Sequence, residues 1–221
     1  MVLDSCSLHI IEQEHPFVSR GGLKLERALQ AFAIIPSGKT AVDIGASTGG
    51  FTDCLLQNGF SKVIAIDVGY GQFDWKLRTD SRVQLFERQN IRYLKPGLLD
   101  ELVDLAVIDV SFISLKLVLP PTFKLLKPNG EIIALVKPQF EVGKGEVEKK
   151  GIVKSPEKHF KVLLDIKAFV IEQDWSILNI IPSPITGQKG NIEFLIHLGI
   201  EDGKHLWDEK SILDIVNFEL K

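Results

Sequence analysis

Charged side chains stand where the apolar runs of this chain end, and their spacing is the first chemistry it offers. Asp43 lies in the run Ala41–Ile44, Asp67 closes KVIAID, Asp109 closes DLAVID, and Lys137 follows EIIALV. Short apolar runs separated by helical periods read as buried parallel strands, and an open α/β sheet binds its ligands beyond the carboxyl ends of those strands. Asp43, Asp67, Asp109 and Lys137 are therefore expected to converge on one rim. A carboxylate after the second strand suits both hydroxyls of a ribose. Asp109 and Lys137 form either a catalytic pair or a structural salt bridge.

Between Asp43 and the next helix lies the turn Gly45, Ala46, Ser47, Thr48, Gly49, Gly50, followed by Phe51. Glycines let a backbone pass close to a ligand, and the amides of a helix start favour polar or anionic groups. A dinucleotide site would show G-x-G-x-x-G after its first strand. Here three residues separate Gly45 from Gly49, which favours S-adenosylmethionine over NAD. Further on, Asn90 has the chemistry to bond a base edge, and equally to form a turn.

The elements that must position these groups follow from period and punctuation. The segment from Ser19 has Leu25, Ala28, Leu29 and Phe32 at helical spacing behind Gly21 and Gly22. Lys24 falls at the start of that helix, off its apolar stripe, either solvated or beside a place of close approach. Phe51 to Gln57 should be helical, with Asn58 and Gly59 ending it in a left-handed conformation. Val83 to Phe86 make a third strand, QNIRYL a loop, and Lys127 to Gly130 a turn before the strand that ends at Lys137. The Gly- and charge-rich stretch from Val142 to His159 reads as a mobile loop beside the rim. Ser155 as N-cap and Pro156 at the first position open a long helix. A strand from Trp175 to Ile181 follows, then a strand over NIEFLIHL that is expected to close the sheet, the two joined by a short connection and therefore antiparallel. Glu193 in the last strand is either exposed on an edge or turned into the site. Residues 211–216 suggest a terminal helix covering the sheet.

The expected fold is α/β and Rossmann-like: a seven-stranded, mostly parallel sheet with an antiparallel last strand and helices on both faces. Residues 1–14 read as an arm or remnant, and 15–221 as one domain. With 221 residues, 45% apolar and 25% charged, the chain can bury a sizeable core. Its net charge of −3 means that an RNA partner must meet a local basic patch. Cys6 and Cys54 have no disulfide or zinc spacing. No run of about 18 apolar residues occurs, so a cytoplasmic protein without a membrane span or metal is expected.

HPFVSRGGLKLERAL, DIGASTGGFTD, AIDVGYGQ, ERQNIRYL, DVSFISL, VKPQFE and SPITGQKGNIEF together resemble the TlyA family of FtsJ-like RNA methyltransferases. The resemblance implies S-adenosylmethionine-dependent 2′-O-methylation of ribose, on cytidine, in ribosomal RNA or ribosomal subunits. It implies a catalytic tetrad of Lys24, Asp109, Lys137 and Glu193. It assigns Asp43 and the backbone at Gly45 to the methionine end of the cofactor, and Ser47 and Thr48 to its carboxylate. Ala46, Gly49, Gly50 and Phe51 complete that turn. Asp67 and Val68 fall at the cofactor ribose, Gln89 and Asn90 near the adenine, and Asp109 beside the methyl group. Two lysines at one site have a physical reason, since a neighbouring cation and desolvation both favour a neutral amine that can take a proton. Relatives usually carry a small RNA-binding module ahead of the stretch matched here. A cofactor-binding domain that needs an RNA-binding partner is thus one alternative, and a haemolysin-like membrane-active protein is another.

Overall fold

The computed structural model describes residues 15–95, 97–143, 145–148, 151–200 and 207–217. Its elements in chain order are α1 (Gly21–Ala31), β1 (Thr40–Ile44), α2 (Gly50–Gln57), β2 (Lys62–Ile66), α3 (Trp75–Arg78) and β3 (Val83–Phe86). There follow β4 (Val103–Ile108), α4 (Leu115–Phe123), β5 (Leu126–Val136), α5 (Pro138–Glu141), α6 (Pro156–Glu172), β6 (Ser176–Pro182), β7 (Phe194–Gly199) and α7 (Glu209–Val216). The strands form one sheet in the order β3-β2-β1-β4-β5-β7-β6. β1 to β5 pair in parallel, and β7 runs antiparallel to both β5 and β6.

Alternation along the strands divides the core in two. Ala41, Val63, Leu105, Ile133 and Leu195 pack under α1 and α2, with Leu25, Leu29 and Leu55. Val42, Ile64, Ala106, Ile132 and Ile196 pack under α4, α6 and α7, with Val118, Leu163 and Ile212. Both faces are covered, as a sheet of nearly continuous apolar runs requires. The switch in strand order lies between β1 and β4, so their carboxyl ends open the crevice in which such a sheet takes its ligand.

Several expectations change. Lys127–Gly130 is not a turn ahead of a strand but belongs to β5: Val103 pairs with Leu126 and Leu105 with Glu131, so these residues loop out of the ladder. After α2 only Gly59 is left-handed (φ +99°), while Asn58 stays near helical values. The sheet closes with β6, since β7 inserts between β5 and β6, and residues 183–193 join those two strands. In the stretch expected to be mobile, residues 151–153 are tied down: Val153 is buried, its amide donates to Asn191 Oδ1, and Asn191 Nδ2 donates to the Gly151 carbonyl. The arm at residues 1–14, Cys6 included, lies outside the described residues. Among those described, no helix is long and apolar enough to cross a membrane. No group of three or more His, Cys, Asp or Glu is placed among them to hold a metal.

Candidate active site

The turn after β1 sits flush against the end of β4. Gly45 has φ +86°, and a Cβ there would strike the backbone carbonyl of Asp109, so this position excludes any side chain. The Gly45 and Ala46 amides donate to the Ile66 carbonyl, and the Ser47 amide donates to Asp67 Oδ2 at 2.7 Å. The Gly69 amide donates to Asp67 Oδ1 at 2.6 Å. Asp67 is thus fixed between two turns while keeping acceptor capacity on both oxygens.

Two cavities meet at this turn. One, of about 310 Å³, is lined by Lys24, Glu193, Asp109 and Lys137 together with Thr48, Gly50 and Phe51. The other, of about 520 Å³, is lined by Asp67, Val68, Gln89 and Asn90 with apolar walls from Ile91 and Ile113. Gly45, Ser47, Asp109, Ser111 and Phe112 line both. All four residues of the implied tetrad therefore face one space, and the implied cofactor groups Asp67, Val68, Gln89 and Asn90 face the adjoining one.

Within the smaller cavity each lysine has its own carboxylate. Lys24, only 6% exposed rather than solvated, donates to Glu193 Oε2 at 2.5 Å, and Glu193 is 3% exposed. Glu193 immediately precedes an interior strand, so it turns into the site and not onto an edge. Its carboxylate occupies the space that a Cβ on Gly187 would fill. Lys137 Nζ lies 2.6 Å from Asp109 Oδ1, an ion pair by distance without the alignment of a hydrogen bond, and it donates to Ser111 Oγ at 3.0 Å.

Asp43 is placed differently from expectation. One residue short of the end of β1, its parity turns it toward α2, and it lines neither cavity. It is 0% exposed; Oδ2 accepts from Thr52 Oγ1 at 2.7 Å and Oδ1 has no partner. Burial pushes its carboxyl up to about 7, with the Asp109 and Asp67 carboxylates adding to the rise against the Thr52 bond. Asn90 meets the turn reading, because its Oδ1 accepts from the Arg92 amide at 3.0 Å to start the 3-10 turn Ile91–Tyr93, and the residue also lines the larger cavity.

Several residues of the site escaped the sequence reading, Arg20, Ser111, Phe112, Gln139 and Phe140 among them. Ser111 and Phe112 lie inside the DVSF motif but have no charge to attract notice. Phe112 is 90% exposed at φ +63°, with its ring 4.9 Å from that of Phe140. A bulky side chain held exposed in the left-handed region stores strain of the kind that collects at ligand sites. Gln139, beside Lys137, has a buried Oε1 without a partner.

The two cavities differ in charge. Asp67 and Asp109 are the charged residues lining the larger one, so it is acidic. This suits the sulfonium and ammonium of S-adenosylmethionine and opposes a pyrophosphate. The Gly45 turn gives the cofactor backbone to lie against, Asp67 offers acceptors for ribose hydroxyls, and Ile91 and Ile113 offer apolar walls for a base. The residues present therefore fit that cofactor.

The profile of the FtsJ-like methyltransferase family matches residues 17–200. A Bacillus subtilis protein, YqxC, classed as a candidate rRNA methyltransferase, is 52% identical over 82% of this chain and 65% of its own length. The chain thus spans just under two thirds of that relative. The 16S/23S rRNA (cytidine-2′-O)-methyltransferase TlyA of Mycobacterium tuberculosis is 43% identical over 98% of this chain and 81% of that protein. A solved structure from Streptococcus thermophilus, described as a candidate hemolysin, superposes with a TM-score of 0.87 at 47% identity, covering 92% of this chain and 74% of that one.

Proposed function

This chain belongs to the FtsJ-like methyltransferase family, and we infer that it transfers a methyl group from S-adenosylmethionine to a ribose 2′-hydroxyl, on cytidine, in ribosomal RNA. The observation that carries this reading is the meeting of two lysine–carboxylate pairs in a cavity that shares a wall with an acidic one. A ribosomal substrate goes with a cytoplasmic location. The name given to TlyA agrees on substrate class, and the hemolysin description of the solved relative brings no feature of this chain with it.

When bound, S-adenosylmethionine supplies an electrophilic methyl group on a cationic sulfur. Asp67, Val68, Gln89 and Asn90 would hold the nucleoside part in the larger cavity, and Gly45 to Thr48 with Gly50 and Phe51 would hold the methionine part, Gly49 being turned toward Phe73 and Leu77. An alcohol is a weak nucleophile until its proton is taken. Lys137, in the form in which its amine is neutral, accepts that proton at Nζ and becomes the ammonium that pairs with Asp109, while Lys24 faces the same space and positions the ribose. Asp109 orients the Lys137 amine, and Glu193 orients Lys24 from the other side. Phe112 and Phe140 exclude water at the mouth.

Methyl transfer from labelled S-adenosylmethionine to purified ribosomal subunits tests the reading. The chain is expected to label a ribose 2′-oxygen, and Lys137→Ala is expected to lower turnover by about a hundredfold or more, the usual contribution of a general base. Normal turnover in the variant would remove Lys137 from its role. Cofactor binding without transfer by the unaltered chain would favour a domain that needs an RNA-binding partner.

A further inference from the structure

We propose, resting on the ribose-methylation reading above, that Arg20 anchors the phosphodiester adjoining the target ribose. Three cations and two carboxylates line the smaller cavity. Lys24 and Lys137 each face a carboxylate, whereas no carboxylate pairs with Arg20 among the described residues. The uncompensated positive charge of the cavity therefore sits on Arg20. This is the local basic point that a chain of net charge −3 must supply to attract a polyanion.

Position agrees with charge. Arg20 is the exposed N-cap of α1, and Lys24 follows one helical turn later, buried against Glu193. Residues four apart share a helix face, so α1 presents a guanidinium at the rim and an ammonium in the depth of the same cavity. In RNA the 2′-hydroxyl and the 3′-phosphate sit on adjacent carbons of one ring. A hydroxyl seated between Lys24 and Lys137 therefore brings a phosphate close behind it. The acidic wall of the larger cavity repels that phosphate, and the planar fork of a guanidinium matches two of its oxygens.

The experiment measures methyl transfer to purified 30S and 50S subunits over a range of salt for the unaltered chain, Arg20→Ala and Arg20→Lys, with S-adenosylmethionine affinity determined by calorimetry. Arg20→Ala should raise KM for the subunit about tenfold, the loss of one charge-assisted hydrogen bond, while kcat and cofactor affinity hold. The slope of log affinity against log salt should fall by about 1. Arg20→Lys should restore the slope but only part of the affinity, because an ammonium lacks the fork. An unchanged KM in Arg20→Ala, or a raised KM with an unchanged salt slope, overturns the anchor while wild-type transfer leaves the methylation reading standing. Absence of transfer by the unaltered chain to either subunit overturns both.

Discussion

Asp43 has no solvent contact, one hydrogen bond from Thr52, and the carboxylates of Asp67 and Asp109 beyond the end of its strand. Its carboxyl, raised to about 7, holds a proton in the folded chain at pH values where the unfolded chain has lost it. The sign follows from proton linkage: a raised folded value gives stability that is fully present below the unfolded value near 4 and fades as pH rises through about 7. Between pH 6 and 8 the loss from this group should be about 1.4 kcal/mol. Urea unfolding at the two pH values, compared with Asp43→Asn, checks this. Equal pH sensitivity in the two proteins would show that Asp43 does not carry it. Lys24 and Glu193 belong to the same scale. Neither is marked by its own neighbours in sequence as buried, yet each is the reason the other can be.

Glu141 joins the two short segments that carry Lys137 and Asp109. From the end of α5 it accepts Ser114 Oγ at 2.6 Å and the Leu115 amide at 2.8 Å, capping the start of α4. α5 begins immediately after Lys137, and α4 begins just after the Asp109–Ile113 turn. Burial pushes the Glu141 carboxyl up, while the bonds from Ser114 and Leu115 oppose that rise. Glu141→Ala cuts the tie without touching the cofactor cavity. It should lower kcat about tenfold through misplacement of Lys137 relative to Asp109, and leave S-adenosylmethionine affinity as it was. Steady-state kinetics with calorimetry read both quantities, and an unaltered kcat would mean the two segments are held by other contacts. β7 shows the same principle over a longer span, since its insertion between β5 and β6 is what brings Glu193 opposite α1.

Across the molecule, residues 15–221 are expected to behave as one cooperative domain. Trp175 stacks on Phe123 and meets Phe169 edge-on beside β6, and Trp207 donates to the Leu178 carbonyl, so these two half-buried indoles report the sheet edge away from the two cavities. Backbone circular dichroism reports every element. In denaturant the two signals should share one midpoint, and S-adenosylmethionine at a hundred times its Kd should move both by about 2.7 kcal/mol. Separate midpoints, or a shift in one signal alone, would divide the domain. The single rim also sets an acidic cavity beside one with excess positive charge.

Much of the fold was legible because it is local. Apolar runs set the parallel strands, the Gly45–Gly50 turn set the start of α2, and Ser155 with Pro156 set the start of α6. Asp67, Asp109 and Lys137 could be placed on one rim because each follows or closes a strand, and strands of a parallel sheet end on the same side. Tertiary structure decided what depends on partners distant in sequence. Parity and the packing of α2 turned Asp43 away from the cavities, and a loop-out in the β4–β5 ladder kept Lys127–Gly130 within a strand. The Lys24–Glu193 pair joins residues 169 positions apart. No local pattern encodes such a pair, because the desolvation that makes it matter exists only once α1 and β7 have closed over it.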